Sequence, residues 1–436
     1  MSRSRLLSRR RRTGIIVAAV AGIGARVAVG LPSHASGWEQ HLVSGSASQI
    51  QAETEVLSDG NGNVDAVWMN GSPGQLVNPF YLYHNYSSNG GTSWGTAGPV
   101  ESGFNNTADP SLAKDTLGNT FLGGLHKAGT SDWDVEIWKS TNSGSSFAAH
   151  STVYSDGKFN DRDWLTVDAS NDLDMVYSPR HYLTGPGTYD RPIYFTHSTD
   201  HGSTWSTPVL VNGTRGSGEG GGLAMRVRTT TDGRIVVGER AIPYQNTGEA
   251  NVQANGYTYI SSNGGSSWAP IQFTTSTTQI ADQSNSNFLK THPTVAVSGN
   301  TVYAAWVGTN GTSNSVYVAR LDSGTSSFTT PVAVATGSAG TLSHVAMATD
   351  VNGGIRLLWF QSGTGGTWAP QYSASTDSGA TWTSPVQIST FTWTPSGGWD
   401  GDFNDAVTDG HDLFYSWAVD SGSNAGVYVS ILRNIT

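Results

Sequence analysis

The sequence predicts an all-β fold, a β-propeller of seven four-stranded antiparallel blades, and three observations indicate it. An octapeptide turn recurs along the chain, with its closing aromatic residue at positions 94, 147, 205, 268, 328 and 382. Runs of β-branched and aromatic residues, typical of strands, occur in groups of three around these turns. Glycine supplies 54 of the 436 residues and only 13% are charged, which is typical of a turn-rich β protein. A six-bladed ring, with one group of three strands misassigned, is the alternative.

The recurring octapeptide reads Ser, any residue, Asp or Asn, any residue, Gly, any two residues, then Trp or Phe. An Asp or Asn side chain at the third place accepts hydrogen bonds from nearby backbone N–H groups, and Gly at the fifth place supplies a left-handed backbone angle. The closing aromatic residue buries an apolar face between neighbouring units. Complete copies span residues 87–94, 140–147, 198–205, 261–268 and 375–382, and a copy with one additional residue contains Asp322, Gly324 and Phe328.

These residues and their spacing resemble the Asp box, the bacterial neuraminidase repeat of sialidases and related β-propellers. The resemblance implies a propeller whose boxes are structural turns, placed away from the functional site. Two segments, residues 161–168 and 398–405, also resemble a group of secreted, sialidase-like proteins with Asp boxes.

The arginines of this chain depart from the sialidase pattern. Sialidases hold the substrate carboxylate with three arginines and use a Tyr–Glu pair and an Asp in catalysis. This chain has no Arg between residues 36 and 161, and the sequence Arg240-Ala241-Ile242-Pro243 comes too late to be the first-arginine motif. The resemblance therefore implies a sialidase-like scaffold without the full sialidase site.

Strand runs can be assigned blade by blade, and the last blade needs a strand from elsewhere. Three runs at 406–408, 413–419 and 427–432 follow the last octapeptide, with nothing after them to complete a blade. The early run 38–43 belongs to no other blade, so we expect it to close the ring by pairing in the last one. The other assigned runs are 120–125, 135–139, 148–154, 164–168, 173–177, 193–196, 208–211, 294–298, 301–307, 315–319, 345–349, 355–360 and 371–374.

Residues 1–35 read as a secretory signal peptide, and residues 36–436 as a single propeller domain. Arginines at positions 3, 5 and 9–12 precede an apolar run over 14–25, and Ser33-His34-Ala35 resembles a cleavage site. A membrane anchor is the alternative, and Arg26 counts against it. No other run is long and apolar enough to cross a bilayer. We therefore expect a secreted, extracellular protein with no stable membrane span after signal cleavage.

Charge and cysteine content exclude several classes of function. The formal net charge is −10, whereas nucleic-acid binding needs a basic surface, so no nucleic-acid partner is expected. The absence of cysteine excludes disulfides, thiol catalysis and thiolate metal sites. We expect a monomer whose partner is a carbohydrate or glycoconjugate.

The functional site is predicted at one face of the ring. The first strand of each blade lines the channel, so the residues that precede these strands gather at one mouth. Carboxylates to exchange protons, arginines to clamp an acidic group and aromatic rings to stack on sugars are the parts a glycan site requires. The predicted catalytic residues are Asp161, Asp163, Glu219 and Asp402. The predicted substrate-binding residues are Asp109, Arg162, Arg180, Arg240, Tyr244, His292 and Trp399.

No cofactor and no metal ligand set are predicted, because His292 and His344 lack a nearby histidine at metal-ligand spacing. Calcium is a further candidate at the acidic mouth, where oxygen ligands are plentiful. The acidic stretch Asp168 to Asp174 resembles a calcium loop but lacks the Gly and Glu of the helical motif.

Together these features favour a secreted, sialidase-like propeller that hydrolyses or binds extracellular glycans at its channel face. If it is an enzyme, it is a glycoside hydrolase. The alternative is a non-catalytic lectin or surface-interaction propeller, for which similar sites should recur in several blades. A scaffold without a ligand is a third hypothesis.

Overall fold

Seven four-stranded antiparallel sheets form a ring in the computed structural model, which confirms the seven-bladed propeller over the six-bladed alternative. The structure describes residues 36–45, 50–71, 80–129, 132–179, 181–182, 189–213, 219–243, 253–282, 289–350, 352–396 and 401–435. Across these ranges, no helix has the length and apolar character needed to cross a bilayer.

The blades follow one another in chain order, each running from an inner to an outer strand. Blade one contains β2 (Ile50–Ser58), β3 (Val64–Gly71), β4 (Tyr81–Ser87) and β5 (Gly98–Pro99), and blade two contains β6 (Thr107–Lys114), β7 (Thr120–Lys127), β8 (Trp133–Ser140) and β9 (Ser151–Tyr154). Blade three contains β10 (Trp164–Val167), β11 (Leu173–Tyr177), β14 (Tyr194–Ser198) and β15 (Val209–Leu210), with the hairpin β12 (His181–Tyr182) and β13 (Tyr189–Asp190) inserted. Blade four contains β16 (Glu219–Thr229), β17 (Ile235–Pro243), β18 (Asn255–Ser261) and β19 (Ala269–Gln272).

The remaining blades carry the additions that distinguish them. Blade five contains β21 (Thr294–Ser298), β22 (Thr301–Thr309), β23 (Ser313–Leu321) and β24 (Val332–Ser338), with β20 (Gln279–Ile280) also paired to β22. Blade six contains β25 (Leu342–Thr349), β26 (Ile355–Ser362), β27 (Trp368–Ser375) and β28 (Val386–Gln387), with a short 3-10 turn at Thr364–Gly366. Blade seven contains β29 (Asp405–Thr408), β30 (Leu413–Val419), β31 (Gly426–Leu432) and β1 (Trp38–Leu42).

The two ends of the described chain share blade seven. Strand β1 pairs antiparallel with β31, with Trp38 opposite Leu432 and Leu42 opposite Tyr428. The outer strand of this blade therefore comes from the beginning of the chain and the other three from its end. This pairing covers the sheet edges that an open array of blades would expose.

Buried aromatic residues hold adjacent blades together. Trp68, Trp306, Trp359 and Trp417 lie on the second strands of four blades and are fully buried. Each packs into a cluster that combines residues of neighbouring sheets; Trp68, for example, packs in one cluster with Phe414 of blade seven. Burial of so large an apolar side chain contributes about 3 kcal/mol, so the interfaces between blades account for much of the core.

The octapeptides form the turns between third and fourth strands. In blade one, the Ser87 hydroxyl donates to Asn89 Oδ1 at 2.9 Å and accepts the N–H of Gly91 at 2.9 Å. The other four complete copies repeat these bonds. The glycine at the fifth place has a positive φ in all five copies. At Gly91, Gly144 and Gly265, an added Cβ would lie within 2.5 Å of a side chain of the preceding blade.

Replacing Gly265 by alanine should destabilise the ring by about 2 to 4 kcal/mol. Its φ is +82°, and a Cβ at this position would lie 2.0 Å from the Phe195 ring. The neighbouring Gly264 has a φ of +66° with nothing within 4 Å of an added Cβ, so Gly264→Ala isolates the backbone strain alone. Urea unfolding of both variants measures the difference. Equal losses of stability would show that contact with Phe195 contributes nothing.

Candidate functional site

Four residues within or just before the inner strands adopt an unusual backbone conformation. Glu53, Asp109, Arg162 and His344 all have φ between +51° and +57°. Three of them lie in β-bulges of β2, β6 and β25, and Arg162 lies just before β10. A non-glycine residue with positive φ costs about 1 kcal/mol or more, and a bulge redirects a side chain out of the regular alternation. Here it brings polar side chains of different blades together at the mouth.

Arg162 and Asp402 form the centre of this group. The guanidinium of Arg162, which is 2% exposed, forms an ion pair with Asp402 and lies 3.2 Å from His292 Nε2. Lys290 Nζ lies 2.8 Å from the other oxygen of Asp402. Burial favours the neutral form of Asp402, but the charges of Arg162 and Lys290 hold its pKa well below the usual range. Asp402 is therefore an ionised carboxylate at neutral pH.

Beside it, Glu53 and Asp109 form a carboxyl pair that holds a proton. Burial raises the pKa of Glu53 well above its usual range, and the charges of Asp109 and Asp402 add to this effect. Burial, with the charge of Asp161, raises the pKa of Asp109 to about 6, although the hydrogen bond from Glu53 opposes it. Asp109 Oδ2 also accepts the backbone N–H of Arg162 at 3.0 Å. Glu53, Asp109, Arg162, Lys290, His292 and Asp402 are hereafter the mouth cluster.

Replacing both carboxyl groups of this pair by amides should change how the free energy of unfolding depends on pH. The pKa of Asp109, about 6 in the folded chain, exceeds the value of about 3.9 in an unfolded chain. Its stabilising contribution is therefore complete below pH 4 and is lost as pH rises through 6. The side chains of Glu53→Gln/Asp109→Asn cannot ionise. The stability of this variant relative to the wild type should therefore increase between pH 4 and pH 7 by at least the 2 to 3 kcal/mol, roughly, that Asp109 alone contributes. Urea unfolding across this range tests the prediction, which a constant difference would refute.

His344 fixes the segments that carry the mouth cluster. Burial lowers the pKa of His344 to about 4, so the ring is neutral. Its Nε2 lies 3.1 Å from the Gly401 carbonyl and its Nδ1 2.7 Å from the Ser343 hydroxyl. Because a carbonyl only accepts, Nε2 carries the proton and Nδ1 accepts from Ser343. The backbone N–H of His344 donates to the Lys290 carbonyl at 2.8 Å, so three blades are tied together next to Asp402.

Below the mouth cluster, the side chain of Arg226 crosses the channel from blade four. Its guanidinium forms an ion pair with Glu55 of blade one and lies 2.8 Å from Asp405 of blade seven. It also stacks over the Trp164 ring at 4.2 Å. Beyond this point lies a cavity of about 250 Å³, lined by the inner strands of all seven blades. The ion cluster thus separates the mouth from the rest of the channel.

Two of the other predicted residues, Asp161 and Asp163, flank Arg162 and have different partners. Asp161 is 7% exposed, and Arg191 Nη1 lies 3.7 Å from its Oδ2. Asp163 is 1% exposed and lies between blades two and three, with Ser111 Oγ at 3.5 Å. Burial raises the pKa of Asp163 well above its usual range. Its position identifies it as a buried interblade carboxyl group.

Two further predicted residues lie in blade four. Glu219 is the first residue of β16, where its backbone pairs with Pro243. Arg240 is fully buried on β17, opposite Leu223. Its neighbour Glu239 accepts hydrogen bonds from Asn212 Nδ2 at 2.6 Å and from the Tyr259 hydroxyl at 2.8 Å. The predicted residues Arg180, Tyr244 and Trp399 lie outside the described residues.

The acidic turn considered for calcium is closed by its own backbone. Asp168 Oδ1 accepts the N–H groups of Ser170 at 2.8 Å and Asp172 at 2.9 Å. These bonds form the turn between β10 and β11, at the end of the ring opposite the mouth. At the mouth, Arg162 and Lys290 pair with the two carboxylate oxygens of Asp402. These two side-chain cations therefore occupy the acidic position that the sequence suggests for calcium.

Glu53, Lys290 and Arg226 lie at or next to the mouth although the sequence did not predict them as site residues. Together the mouth cluster offers an ionised carboxylate, a carboxyl pair holding a proton, and cationic side chains. The side chains of Asp402 and Lys290 are 16% and 15% exposed, so solvent reaches them. Such an arrangement can accept or donate a proton and can bind an anionic group.

Comparison with known proteins identifies similar folds. A protein of unknown function from Dyadobacter fermentans DSM 18053 is 14% identical with a TM-score of 0.53, over 92% of this chain and 100% of that one. A Hadza microbial sialidase is 14% identical with a TM-score of 0.53, over 85% and 76%. A PL25 ulvan lyase is 11% identical with a TM-score of 0.57, over 90% and 96%. No protein-family model and no curated protein matches the sequence. At such low identity these matches show the β-propeller fold alone.

Proposed function

We propose that the chain binds and hydrolyses an extracellular glycan at the mouth cluster. The observation that carries the proposal is the ionised Asp402 beside the proton-holding pair Glu53 and Asp109. Glycoside hydrolysis uses two carboxyl groups, one protonated and one ionised, and environments that separate their pKa values assign those roles. Two proteins with a similar fold, the sialidase and the ulvan lyase, are named for action on glycans.

In this proposal Asp402 acts as the base or nucleophile, and Asp109, linked to Glu53, supplies the proton. Lys290 and Arg162 keep Asp402 ionised, and Lys290 offers a partly exposed cation to an acidic group of the substrate. Asp161 lies close enough to Asp109 for its charge to raise the pKa of that residue. Acidic glycans are therefore the first substrates to test.

Assays on the purified chain from residue 36 test this proposal. Aryl glycosides of neutral sugars, uronic acids and sialic acid, together with neutral and acidic polysaccharides, should include one substrate that releases aglycone or new reducing ends. Absorbance at 235 nm on an acidic polysaccharide would instead reveal an unsaturated product and therefore a lyase. Absence of turnover on the whole panel would refute the enzymatic proposal.

A lectin is the second candidate, and the burial of the carboxyl pair favours it. Glu53 is 2% exposed and Asp109 8% exposed, and both are engaged with other residues of the mouth cluster. A rigid, internally paired cluster can bind a sugar without exchanging protons with it. Retention on a glycan array without turnover, abolished by Lys290→Met, would support this candidate.

We further propose that the protein is exported and that residues 1–35 are removed. The basic start, the apolar run and the small residues before Ser36 support this proposal. Sequencing the N-terminus of the protein recovered from culture medium should give a chain that starts at Ser36. A cell-bound chain that retains the first residues would refute it.

A further inference from the structure

A second polar cluster lies in blade two, on residues that the proposed function does not use. His126 on β7 is opposite Asp134 on β8, and Glu136 follows two residues further along that strand. Side chains two apart on a strand project from the same face of the sheet, as do those directly opposite. One ligand atom from each of the three residues lies within 4.8 Å of the others. Within the described ranges, this is the one group of three His or carboxylate side chains with such spacing.

The carboxylates of this cluster lack the partners that burial requires. Glu136 is 1% exposed, and its Oε1 accepts a hydrogen bond from the Thr152 hydroxyl at 3.2 Å. Its Oε2 has no hydrogen-bond partner among the described residues, and the same holds for Asp134 Oδ1. A buried, ionised carboxylate oxygen without a donor is strongly unfavourable, and a bound cation removes this cost. Two such oxygens face one histidine here.

The surroundings fix the direction of these side chains. Phe104 packs against the His126 ring, with 4.1 Å between centroids, and stacks with His150 at 3.8 Å. His150 is in turn held by Glu101, whose Oε2 lies 2.9 Å from its Nδ1. Thr152 restrains the glutamate at its other oxygen. A hydrogen bond to a ligating carboxylate, such as the one from Thr152 to Glu136, is typical of metal sites and raises their affinity.

We propose that His126, Asp134 and Glu136 bind a divalent transition-metal ion of the Zn²⁺ type. An imidazole nitrogen with two carboxylates suits zinc and its neighbours, whereas calcium and magnesium prefer oxygen ligands throughout. Three protein ligands leave one position of a tetrahedral ion for water or an external ligand. This proposal stands independently of the proposed function.

Zn²⁺ binding to the chain purified without a histidine tag, after treatment with EDTA, tests the assignment. Isothermal titration should give one Zn²⁺ per chain, with a higher Tm for the loaded protein. Co²⁺ in place of Zn²⁺ should produce visible absorption bands of a low-symmetry site. Glu136→Gln and His126→Gln should each weaken Zn²⁺ binding by about 100-fold or more. Circular dichroism verifies that both variants fold.

The control is His84→Gln, which removes a histidine from a two-residue pair in blade one. His84 Nε2 lies 3.1 Å from Asp65 Oδ1, and no third ligand is close to them among the described residues. Its stoichiometry for Zn²⁺ should equal that of the wild type. The proposal is overturned if the wild type binds no Zn²⁺, if Glu136→Gln binds as tightly as His84→Gln, or if Ca²⁺ alone raises the Tm.

Discussion

Arg226→Met is expected to lower the free energy of unfolding by about 3 to 5 kcal/mol, the largest loss we predict for a single substitution. The guanidinium is the shared partner of Glu55 and Asp405, which are 2% and 6% exposed. Burial already raises the pKa of Glu55 to about 8, although the charge of Arg226 opposes this shift. Without that charge, two buried carboxyl groups would lie side by side on the inner strands of adjacent blades.

Thermal and urea unfolding of Arg226→Met at pH 7 measures this loss. The matched control is the triple variant Arg226→Met/Glu55→Gln/Asp405→Asn, which removes the whole ion cluster and should recover most of the stability. Recovery is expected because a buried ion pair contributes little net stability compared with neutral groups of similar volume. A triple variant as unstable as Arg226→Met would show that stacking of Arg226 on Trp164, rather than charge, is decisive.

Asp402→Asn is expected to reduce kcat/KM by a factor of about 100 to 10,000 on whichever substrate the panel identifies. The substitution keeps the shape of the side chain but removes the negative charge that Arg162 and Lys290 stabilise. Steady-state kinetics across pH 4 to 8 measures the effect. Asp232→Asn serves as the control, because Asp232 lies in an exposed turn at the opposite end of the ring.

The stability of Asp402→Asn must be measured beside its activity. Loss of the carboxylate leaves the buried Arg162 guanidinium without its acidic partner, so a moderate decrease in Tm is expected. Activity measured well below that Tm separates the chemical effect from unfolding. Wild-type kcat/KM in a folded Asp402→Asn chain would remove this residue from the catalytic proposal.

The octapeptide turns made the fold predictable from sequence, whereas the site was only partly so. A turn such as residues 261–268 depends on local chemistry, namely an Asn side chain, a left-handed Gly and an aromatic residue. The mouth cluster instead joins residues of several blades. The sequence predicts Asp109, Arg162, His292 and Asp402 at the mouth, and two hydrogen bonds and an ion pair of Arg162 link all four.

Asp163 directly follows Arg162 in the chain but has different neighbours in the fold. Arg162, whose φ is +57°, reaches His292 and Asp402 at the mouth, whereas Asp163 lies beside Ser111 at the interface with blade two. Glu53 was missed because a charge inside an otherwise regular strand gives no local signal.

A register shared by four blades contains that missing signal. In blades one, two, three and six, the turn after the inner strand begins with an Asp that accepts backbone hydrogen bonds. These residues are Asp59, Asp115, Asp168 and Asp350. Counting six residues back from this Asp reaches the residue with positive φ in each of these blades. The residues found in this way are Glu53, Asp109, Arg162 and His344.

The pairing of Trp38–Leu42 with Gly426–Leu432 has a consequence for the order of folding. Blade seven needs residues 38–42 together with residues 405–432, so it can close only after the chain through residue 432 has been synthesised. Contacts so distant in sequence form slowly. Until then the unpaired edge of β31 and the inner strand of blade one stay accessible to other chains, and a nascent protein truncated before residue 426 has no route to a closed ring.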